Sequence, residues 1–305
     1  MSHEAVPPPR PRRQPALPYG LLVPALVALA VALAYPLGRQ VVLSFQEFGL
    51  AQQFGQPPAW VGLENYRALV TDGYLWTVVA RSLAFCLANA ALTMALGIGL
   101  ALLMRHMAKP IRLLVQTGLL LAWAMPVVAS LTVWQWLFDT QYGVVNWLLV
   151  RLGGDYQGHS WLLEPLSFFL VATIVVVWMS VPFVAFTVYA ALMQVSDDLV
   201  ESAEIDGANA RQRLHHVVFP SIRPVLLIVG LLQVIWDLRV FTQIYVLQQA
   251  GGTTRDTNLL GTYIYRLGIG GGDFGTASAV ALFMLALTVL ITAPYVRAML
   301  RQENG

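Results

Sequence analysis

Six apolar stretches, each long enough to cross a bilayer, restrict this chain to a fold that lies in a membrane. A helix needs about 20 apolar residues to cross the hydrocarbon core. The predicted spans cover residues 19–45, 76–104, 113–138, 165–193, 223–248 and 276–296. Because 57% of the 305 residues are hydrophobic and only 11% are charged, the chain lacks the polar surface of a soluble globule of this size. The sequence therefore predicts an all-α membrane protein with six transmembrane helices within residues 19–299.

The basic residues predict which ends of the spans face the cytoplasm. Most of the eighteen lysines and arginines lie at alternate ends, as the positive-inside rule requires. They are Arg10, Arg12, Arg13, Arg105, Lys109, Arg112, Arg211, Arg213, Arg223, Arg297 and Arg301. Both termini are then cytoplasmic, and residues 1–18, rich in proline and arginine, are expected to form a disordered tail. A signal peptide is the alternative for the first run, but the run continues through Val41 to Phe45.

The sequence shows no catalytic or metal-binding constellation. A phosphate-binding loop ends in lysine, and the only lysine, Lys109, precedes Pro110 without a glycine-rich turn before it. The five histidines lack the spacing of metal ligands. The glycine-rich residues 268–275 contain no lysine, and we expect a flexible turn outside the membrane. The sequence thus predicts a protein that is not an enzyme, without catalytic residues, metal or nucleic-acid partner.

One long polar stretch, residues 196–220, separates the fourth and fifth spans, and we call it the polar loop. Asp198 and Glu201 have the spacing of a capping box, which predicts the start of a helix. Gly207 can leave helical geometry without steric cost, and a second short helix is expected to run to Pro220. This shape suits docking against a partner, whereas the alternative is an amphipathic connector on the bilayer surface. The apolar face would carry Leu199, Val200 and Ala203.

Three short patterns resemble the permease subunits of bacterial ATP-binding-cassette (ABC) importers. The polar loop follows that family's spacing of Glu-Ala-Ala, three residues, Gly, nine residues and Ile-x-Leu-Pro, with Glu201, Ser202, Ala203, Gly207, Val217, Phe219 and Pro220. Ser202, Val217 and Phe219 depart from the usual residue types. Residues 60–66 and 139–146 also resemble family elements, while Thr253 stands where the family often has proline.

The resemblance is to carbohydrate importers, and in particular to the first permease of the maltose type. It implies a type I ABC importer transmembrane domain in a bacterial cytoplasmic (inner) membrane, with a coupling helix in the polar loop. The residues that it implies for ATPase coupling are Glu201, Ser202, Ala203, Asp206 and Gly207. The implied partners are a second permease, an extracytoplasmic sugar-binding protein and two ATPase subunits, which hold the ATP and Mg that this chain does not bind.

The fifth span carries two ionisable residues, which are costly in a membrane and normally face a cavity or a partner. Gln233, Trp236 and Asp237 share one helical face and would suit a hydroxyl-rich ligand, although polar contacts between helices are the alternative. The resembled permeases line their sugar path with this face, which implies a substrate-binding role for the three residues. Arg239 falls off the face, and we expect it to serve structure or a subunit interface.

The fourth span adds weaker substrate-binding candidates. Pro182 is expected to kink it and so to free backbone carbonyls near Trp178 and Ser180, and the resemblance also implies Trp123 in the third span. Two other functions stay open. A polyol or glycerol-phosphate permease would place Arg239 against a phosphate, and an ion-coupled secondary transporter would use Asp237.

Overall fold

The computed structural model describes residues 17–303 and folds them almost entirely into helices. The predicted tail, residues 1–18, lies outside this range except for its last two residues, which begin the first helix. The helices of the first half are α1 (Leu17–Leu29), α2 (Tyr35–Ser44), α3 (Leu50–Gln53), α4 (Glu64–Thr71), α5 (Gly73–His106), α6 (Lys109–Ala124), α7 (Val127–Leu137) and α8 (Val144–Arg151). Those of the second half are α9 (Pro165–Leu192), α10 (Asp197–Ile205), α11 (Ala210–Arg213), α12 (Phe219–Leu238), α13 (Thr242–Gln249), α14 (Thr254–Thr257), α15 (Leu260–Tyr265) and α16 (Phe274–Glu303). Short π-helical stretches lie at Ala30–Ala34, Leu214–Val218 and Arg266–Gly270.

Within residues 17–303, five helical paths are long and apolar enough to cross a membrane, and six if the bent pair of α6 and α7 counts as one span. The five cover Leu21–Ser44, Gly73–His106, Pro165–Leu192, Ala210–Gln249 and Phe274–Leu300. Each overlaps one predicted span. The predicted third span, residues 113–138, is instead divided between α6 and α7, which are bent by 103° relative to each other.

Pro126 explains this bend. Proline lacks a backbone N–H and forces the preceding residue toward an extended conformation. Met125 and Pro126 have ψ angles of 130° and 135°, so neither continues α6. With 16 residues, α6 alone is about 24 Å long, shorter than a hydrocarbon core of about 30 Å.

Two other prolines, Pro182 and Pro220, lie inside continuous helical paths. α9 is one continuous helix from Pro165 to Leu192, and the kink expected at Pro182 within it stays a prediction. The helix expected to stop at Pro220 instead continues from α11 into α12 and on towards α13. Pro220 stands in the first turn of α12, where its missing N–H costs little.

A small antiparallel strand pair, absent from the all-α prediction, follows the first span. β1 (Gln46–Glu47) pairs with β2 (Ala59–Trp60). Asn65, in the stretch that resembled a family element, donates from Nδ2 to the carbonyls of Ser44 and Gln46 at 2.9 and 3.0 Å. The glycine-rich residues 268–275 pack here too, because the amides of Phe274 and Gly275 donate to the carbonyl of Phe48. This turn is therefore held by backbone bonds rather than free.

The centre of the molecule is the packed pair of α5 and α9. Gly97 lets the two helices approach closely, since a Cβ atom there would lie 2.5 Å from Val184 Cγ1. α12 packs against α5, α9 and α16, and α13 packs against α7 and α9. α12 and α13 thus contact helices of four other predicted spans, and the polar side chains of the fifth span lie where α12 ends and α13 begins.

Candidate transport and coupling sites

A polar cavity lies where α12 ends and α13 begins. α12 stops at Leu238, and the chain turns before α13 starts at Thr242. This break, together with one face of α9, borders an open cavity of about 270 Å³. Its walls are formed by Val176, Ser180, Trp236, Asp237, Arg239, Val240, Phe241, Thr242 and Gln243. A carboxylate, a guanidinium, two hydroxyls, an amide and an indole therefore converge on one small space, a set that can hydrogen-bond and stack on a polyhydroxylated ligand.

Asp237 is the most deeply placed charged group of this cavity. Its side chain is only 2% exposed, and Gln233 Nε2 donates to its Oδ2 at 2.9 Å. Gln233 is fully buried and lies outside the cavity wall, with its Oε1 unpaired. The residues of the predicted face therefore differ in their position: Asp237 lines the cavity, whereas Gln233 is buried outside it and donates a hydrogen bond to Asp237.

Trp236 lines the cavity and keeps part of its side chain exposed. It is 43% exposed, and its ring meets the edge of Phe183 at a centroid distance of 4.9 Å. The ring therefore packs against α9 and remains partly accessible. Ser180, from α9, lines the same space, so the structure brings Ser180, Trp236 and Asp237 together.

Arg239 also lines this cavity, contrary to the expectation that it would fall off the face. The expectation assumed that the helix continued, but Arg239 is the residue after the last residue of α12, with φ −96° and ψ 9°. Helical periodicity therefore no longer determines where its side chain points. Within the described part of the chain Arg239 has no ion-pair partner.

The two other predicted aromatic residues lie elsewhere. Trp178 lines a separate, apolar cavity of about 410 Å³ between α5, α6 and α9. Its ring makes a T-shaped contact with the ring of Trp134, with the two centroids 5.7 Å apart. Trp123, at the end of α6, is 54% exposed and lines neither cavity. Conversely, Thr242 and Gln243 line the polar cavity without having been predicted. Only knowledge of the helix break before Thr242 would have pointed to them.

The polar loop forms a helix, a glycine turn and a helix, as expected. α10 begins at Asp197, and no side chain caps it, so the predicted capping box of Asp198 and Glu201 is absent. Gly207 has φ +84°, a left-handed conformation that favours glycine. A capping box does form after it, where Asn209 and Gln212 each accept a hydrogen bond from the other's backbone amide, at 3.0 and 2.8 Å.

The residues implied in ATPase coupling lie mostly on the surface. Glu201, Ser202, Asp206 and Gly207 are exposed, and Ala203 is half-buried. Ala203, Asp206 and Gly207 line a cleft of about 330 Å³ together with Gln212 and His216. The predicted apolar face is divided, since Val200 packs on the core while Leu199 is 55% exposed. Ile205, at the end of α10, is 87% exposed and extends the open apolar surface.

Two ion pairs join α10 to helices of the predicted spans. Glu204 Oε2 lies 2.8 Å from an Arg213 guanidinium nitrogen, which ties α10 to the start of the fifth span. Asp197 Oδ1 lies 3.5 Å from an Arg105 guanidinium nitrogen at the end of α5. Among residues 17–303, no cluster of three or more histidine, cysteine, aspartate or glutamate side chains could hold a metal ion.

Comparison with known proteins identifies the chain's relatives. A family model described as the binding-protein-dependent transport system inner membrane component matches residues 93–299. The diacetylchitobiose uptake system permease protein DasB of Streptomyces coelicolor is 40% identical over 94% of this chain and 88% of its own length. The trehalose/maltose transport system permease protein MalF of Thermococcus litoralis is 30% identical over 93% of this chain and 94% of its own length.

The fold is also found in a solved structure, a bacterial alginate ABC transporter in complex with an alginate pentasaccharide-bound periplasmic protein. One chain of it is 23% identical to this protein and superposes with a TM-score of 0.78 over 92% of both chains. This likeness confirms the predicted importer-permease fold. Together with the family match, it confirms the resemblance drawn from the polar loop: the chain belongs to the inner membrane components of binding-protein-dependent transport systems.

Proposed function

We propose that this protein is a permease subunit of an ATP-driven sugar importer and that the polar cavity at the junction of α12 and α13 is part of its substrate path. The observation that carries the proposal is the convergence of Ser180, Trp236 and Asp237 on about 270 Å³ inside a membrane span. A pyranose offers hydroxyls to the carboxylate and serine and an apolar face to the indole. The names of the relatives, which concern diacetylchitobiose, trehalose and maltose, support the same ligand class.

The polar loop would couple this path to ATP hydrolysis in partner subunits. Its surface can bind a second protein, because helix α10 exposes the apolar side chains Leu199 and Ile205 and a cleft lies beside it at Gly207. Glu201, Ser202, Ala203, Asp206 and Gly207 are the proposed contact residues. The complete transporter would contain a second permease, two ATPase subunits with ATP and Mg, and an extracytoplasmic sugar-binding protein, with both termini of this chain in the cytoplasm.

The position of Arg239 favours a second candidate substrate class. A guanidinium without an ion-pair partner among the described residues, lining the same cavity as Asp237, can pair with a phosphate, sulfonate or carboxylate. A glycerol-phosphate or acidic-sugar permease is therefore the alternative. A relative named as a sulfoquinovosyl glycerol transport system permease, SmoG of Agrobacterium fabrum, is 32% identical over 91% of this chain.

The test is to purify the chain from its native membrane with the subunits that accompany it and to reconstitute them in liposomes. ATP hydrolysis is then measured with the sugar-binding protein and a panel of neutral sugars, polyols and acidic sugars. We expect a neutral sugar to raise hydrolysis. Stimulation by anionic members alone would replace the neutral-sugar proposal with the second candidate, and isolation of the chain without any ATPase subunit would contradict both.

A further inference from the structure

Helix α8 presents an apolar face that no other part of the described chain covers. Val144, Trp147, Leu148 and Leu152 follow the spacing of one helical face. Trp147 is 58% exposed, Leu148 49% and Leu152 75%. Because α9 crosses the membrane between α8 and the polar loop, this face lies on the membrane side opposite to the polar loop.

The other face of α8 is firmly attached, so its orientation is fixed. Val145 packs against the hydrophobic core. The Asn146 Nδ2 atom donates to the carbonyl of His159 at 2.8 Å, and its Oδ1 accepts from Trp161 Nε1 at 2.6 Å. Before α8, the carboxylate of Asp139 accepts hydrogen bonds from the backbone amides of Tyr142 and Gln141. These bonds favour the charged form and lower the pKa of Asp139 below its usual value. The apolar stripe is thus held outward by the fold.

The chemistry of the exposed face matches that of a membrane interface. Tryptophan and tyrosine are enriched at the level of the lipid headgroups, and amphipathic helices can lie in this plane. The Arg151 guanidinium lies 5.1 Å from the Trp147 ring centroid, so an apolar ring and a cation meet at one place. A groove of about 560 Å³ runs beside them, with Tyr142, Arg151 and Gln157 in its wall. A phosphate headgroup would find a guanidinium and an amide there.

Further exposed apolar side chains lie after α8, where the chain enters the predicted fourth span. Leu163, just before α9, is 55% exposed, and Leu166, in its first turn, is 87% exposed. We therefore propose that α8 is an interfacial membrane anchor. Trp147, Leu148 and Leu152 enter the leaflet opposite to the polar loop, and the groove beside Arg151 takes the phosphate headgroup of a phospholipid. This inference does not depend on the transported substrate.

A depth measurement tests the anchor in the full chain with its accompanying subunits, in nanodiscs of phosphatidylethanolamine and phosphatidylglycerol. Cys86 is the only cysteine, so a Cys86→Ser background allows one nitroxide label at a time. Leu148→Cys reports on the apolar face. Asp155→Cys, exposed on the same loop but off this face, is the matched control.

We expect the ratio of collisions with oxygen to collisions with a water-soluble nickel chelate to be several-fold higher at position 148 than at position 155. Equal ratios would show that the face is in water. Protection of position 148 from both reagents would show that protein covers it. Either of these results would overturn the anchor.

A second experiment tests the headgroup groove. Phosphatidylglycerol is titrated into the purified complex, and lipid adducts are counted by native mass spectrometry. We expect Arg151→Gln to lower the adducts several-fold and Arg67→Gln, an exposed arginine of α4 that six crossings would place on the same membrane side, to leave them unchanged. Equal adducts in the two variants would rule out a headgroup site at Arg151.

Discussion

At the scale of single residues, the buried carboxylate of Asp237 depends on the amide of Gln233 behind it. Removal of the partner leaves a buried acceptor unpaired, which costs about 1–3 kcal/mol. We therefore expect Gln233→Leu to lower the thermal stability of the complex in detergent and to weaken substrate-stimulated ATP hydrolysis. Gln249→Leu, an exposed amide on α13, is the control and should change neither. If both variants melt like the wild type, the hydrogen bond contributes nothing to the site.

The two tryptophans near α9 should differ in what they contribute. Trp236 lines the polar cavity, whereas Trp178 lines the apolar one. An aromatic contact is worth about 0.5–1.5 kcal/mol, up to about tenfold in affinity. We expect Trp236→Ala to raise the substrate concentration that gives half-maximal uptake by up to this factor. Trp178→Ala should reduce thermal stability and leave that concentration unchanged, and the reverse pattern would place the substrate in the apolar cavity.

These residue assignments show where sequence reasoning reaches its limit. Asp237 was predicted as a candidate binding residue because it is a charged residue within a span, and helical periodicity placed Trp236 on the same face. Periodicity failed at Arg239 because the helix had already ended, and it could not separate Gln233 from the cavity because depth within a bundle depends on the neighbouring helices. Thr242 and Gln243 carry ordinary side chains, and only the break before α13 turns them toward the cavity.

At the scale of elements, the close approach of α5 and α9 depends on Gly97. A Cβ atom at this position would lie 2.5 Å from Val184 Cγ1, and a β-branched side chain has little freedom to move aside. We expect Gly97→Ala to destabilise the complex by about 1–3 kcal/mol, as overpacking does. The measurement is thermal unfolding in detergent.

Gly99 provides the matched control for this prediction, because a Cβ atom there meets nothing within 4 Å. Gly99→Ala should be neutral or stabilising, since alanine favours a helix by about 1 kcal/mol over glycine. Val184→Ala should not restore the stability lost in Gly97→Ala, because the Val184 Cβ atom, which alanine keeps, would still lie 2.6 Å from the added Cβ atom. Equal stability of the two alanine variants would mean that α5 and α9 do not pack as closely as described.

The ion pair between Glu204 and Arg213 should matter for coupling more than for stability. Both side chains reach the surface, and such pairs contribute about 0–1 kcal/mol. The pair nevertheless joins α10 to the fifth span. We expect Glu204→Arg or Arg213→Glu to reduce substrate-stimulated ATP hydrolysis without loss of ATPase subunits from the complex, and the double exchange to restore it.

Asp198→Arg controls for a simple change of surface charge, because Asp198 is exposed and has no ion pair among the described residues. Failure of the double exchange to recover hydrolysis, with the subunits still bound, would remove the pair from the coupling route. Loss of the ATPase subunits in every variant would instead mean that α10 is needed for assembly.

The helices of the spans were predicted correctly where hydropathy alone determines their position. Every long apolar run is largely helical, since a backbone in lipid must satisfy its own hydrogen bonds, although the third run is divided between α6 and α7 and the fifth between α12 and α13. The polar loop was recognised from the spacing of Glu201 and Gly207. The bend at Pro126 and the continuation of the helix past Pro220 were not foreseen, because the effect of a proline depends on whether its neighbours can satisfy the freed carbonyls.

At the scale of the whole molecule, the bend between α6 and α7 determines the sidedness of the chain. Five crossings would place the termini on opposite sides, and six would place them on the same side. α6 alone is too short to cross, but α6 and α7 together pass the length and hydropathy requirements of a span. The basic residues Arg105, Lys109 and Arg112 before the bend favour a crossing, since they would hold the α5–α6 turn in the cytoplasm.

Three single cysteines in the Cys86→Ser background test this sidedness. Ala108→Cys lies in the α5–α6 turn, Gln157→Cys lies after α8, and Asp198→Cys lies in the polar loop, all at exposed positions. We expect a membrane-impermeant maleimide to label only Gln157→Cys in intact cells and to reach the other two after permeabilisation. If Ala108→Cys reacts in intact cells together with Gln157→Cys, the bent pair re-enters the membrane without crossing it. The chain would then have five crossings, and its termini could not share the cytoplasm, because only an even number of crossings returns a chain to the side from which it started.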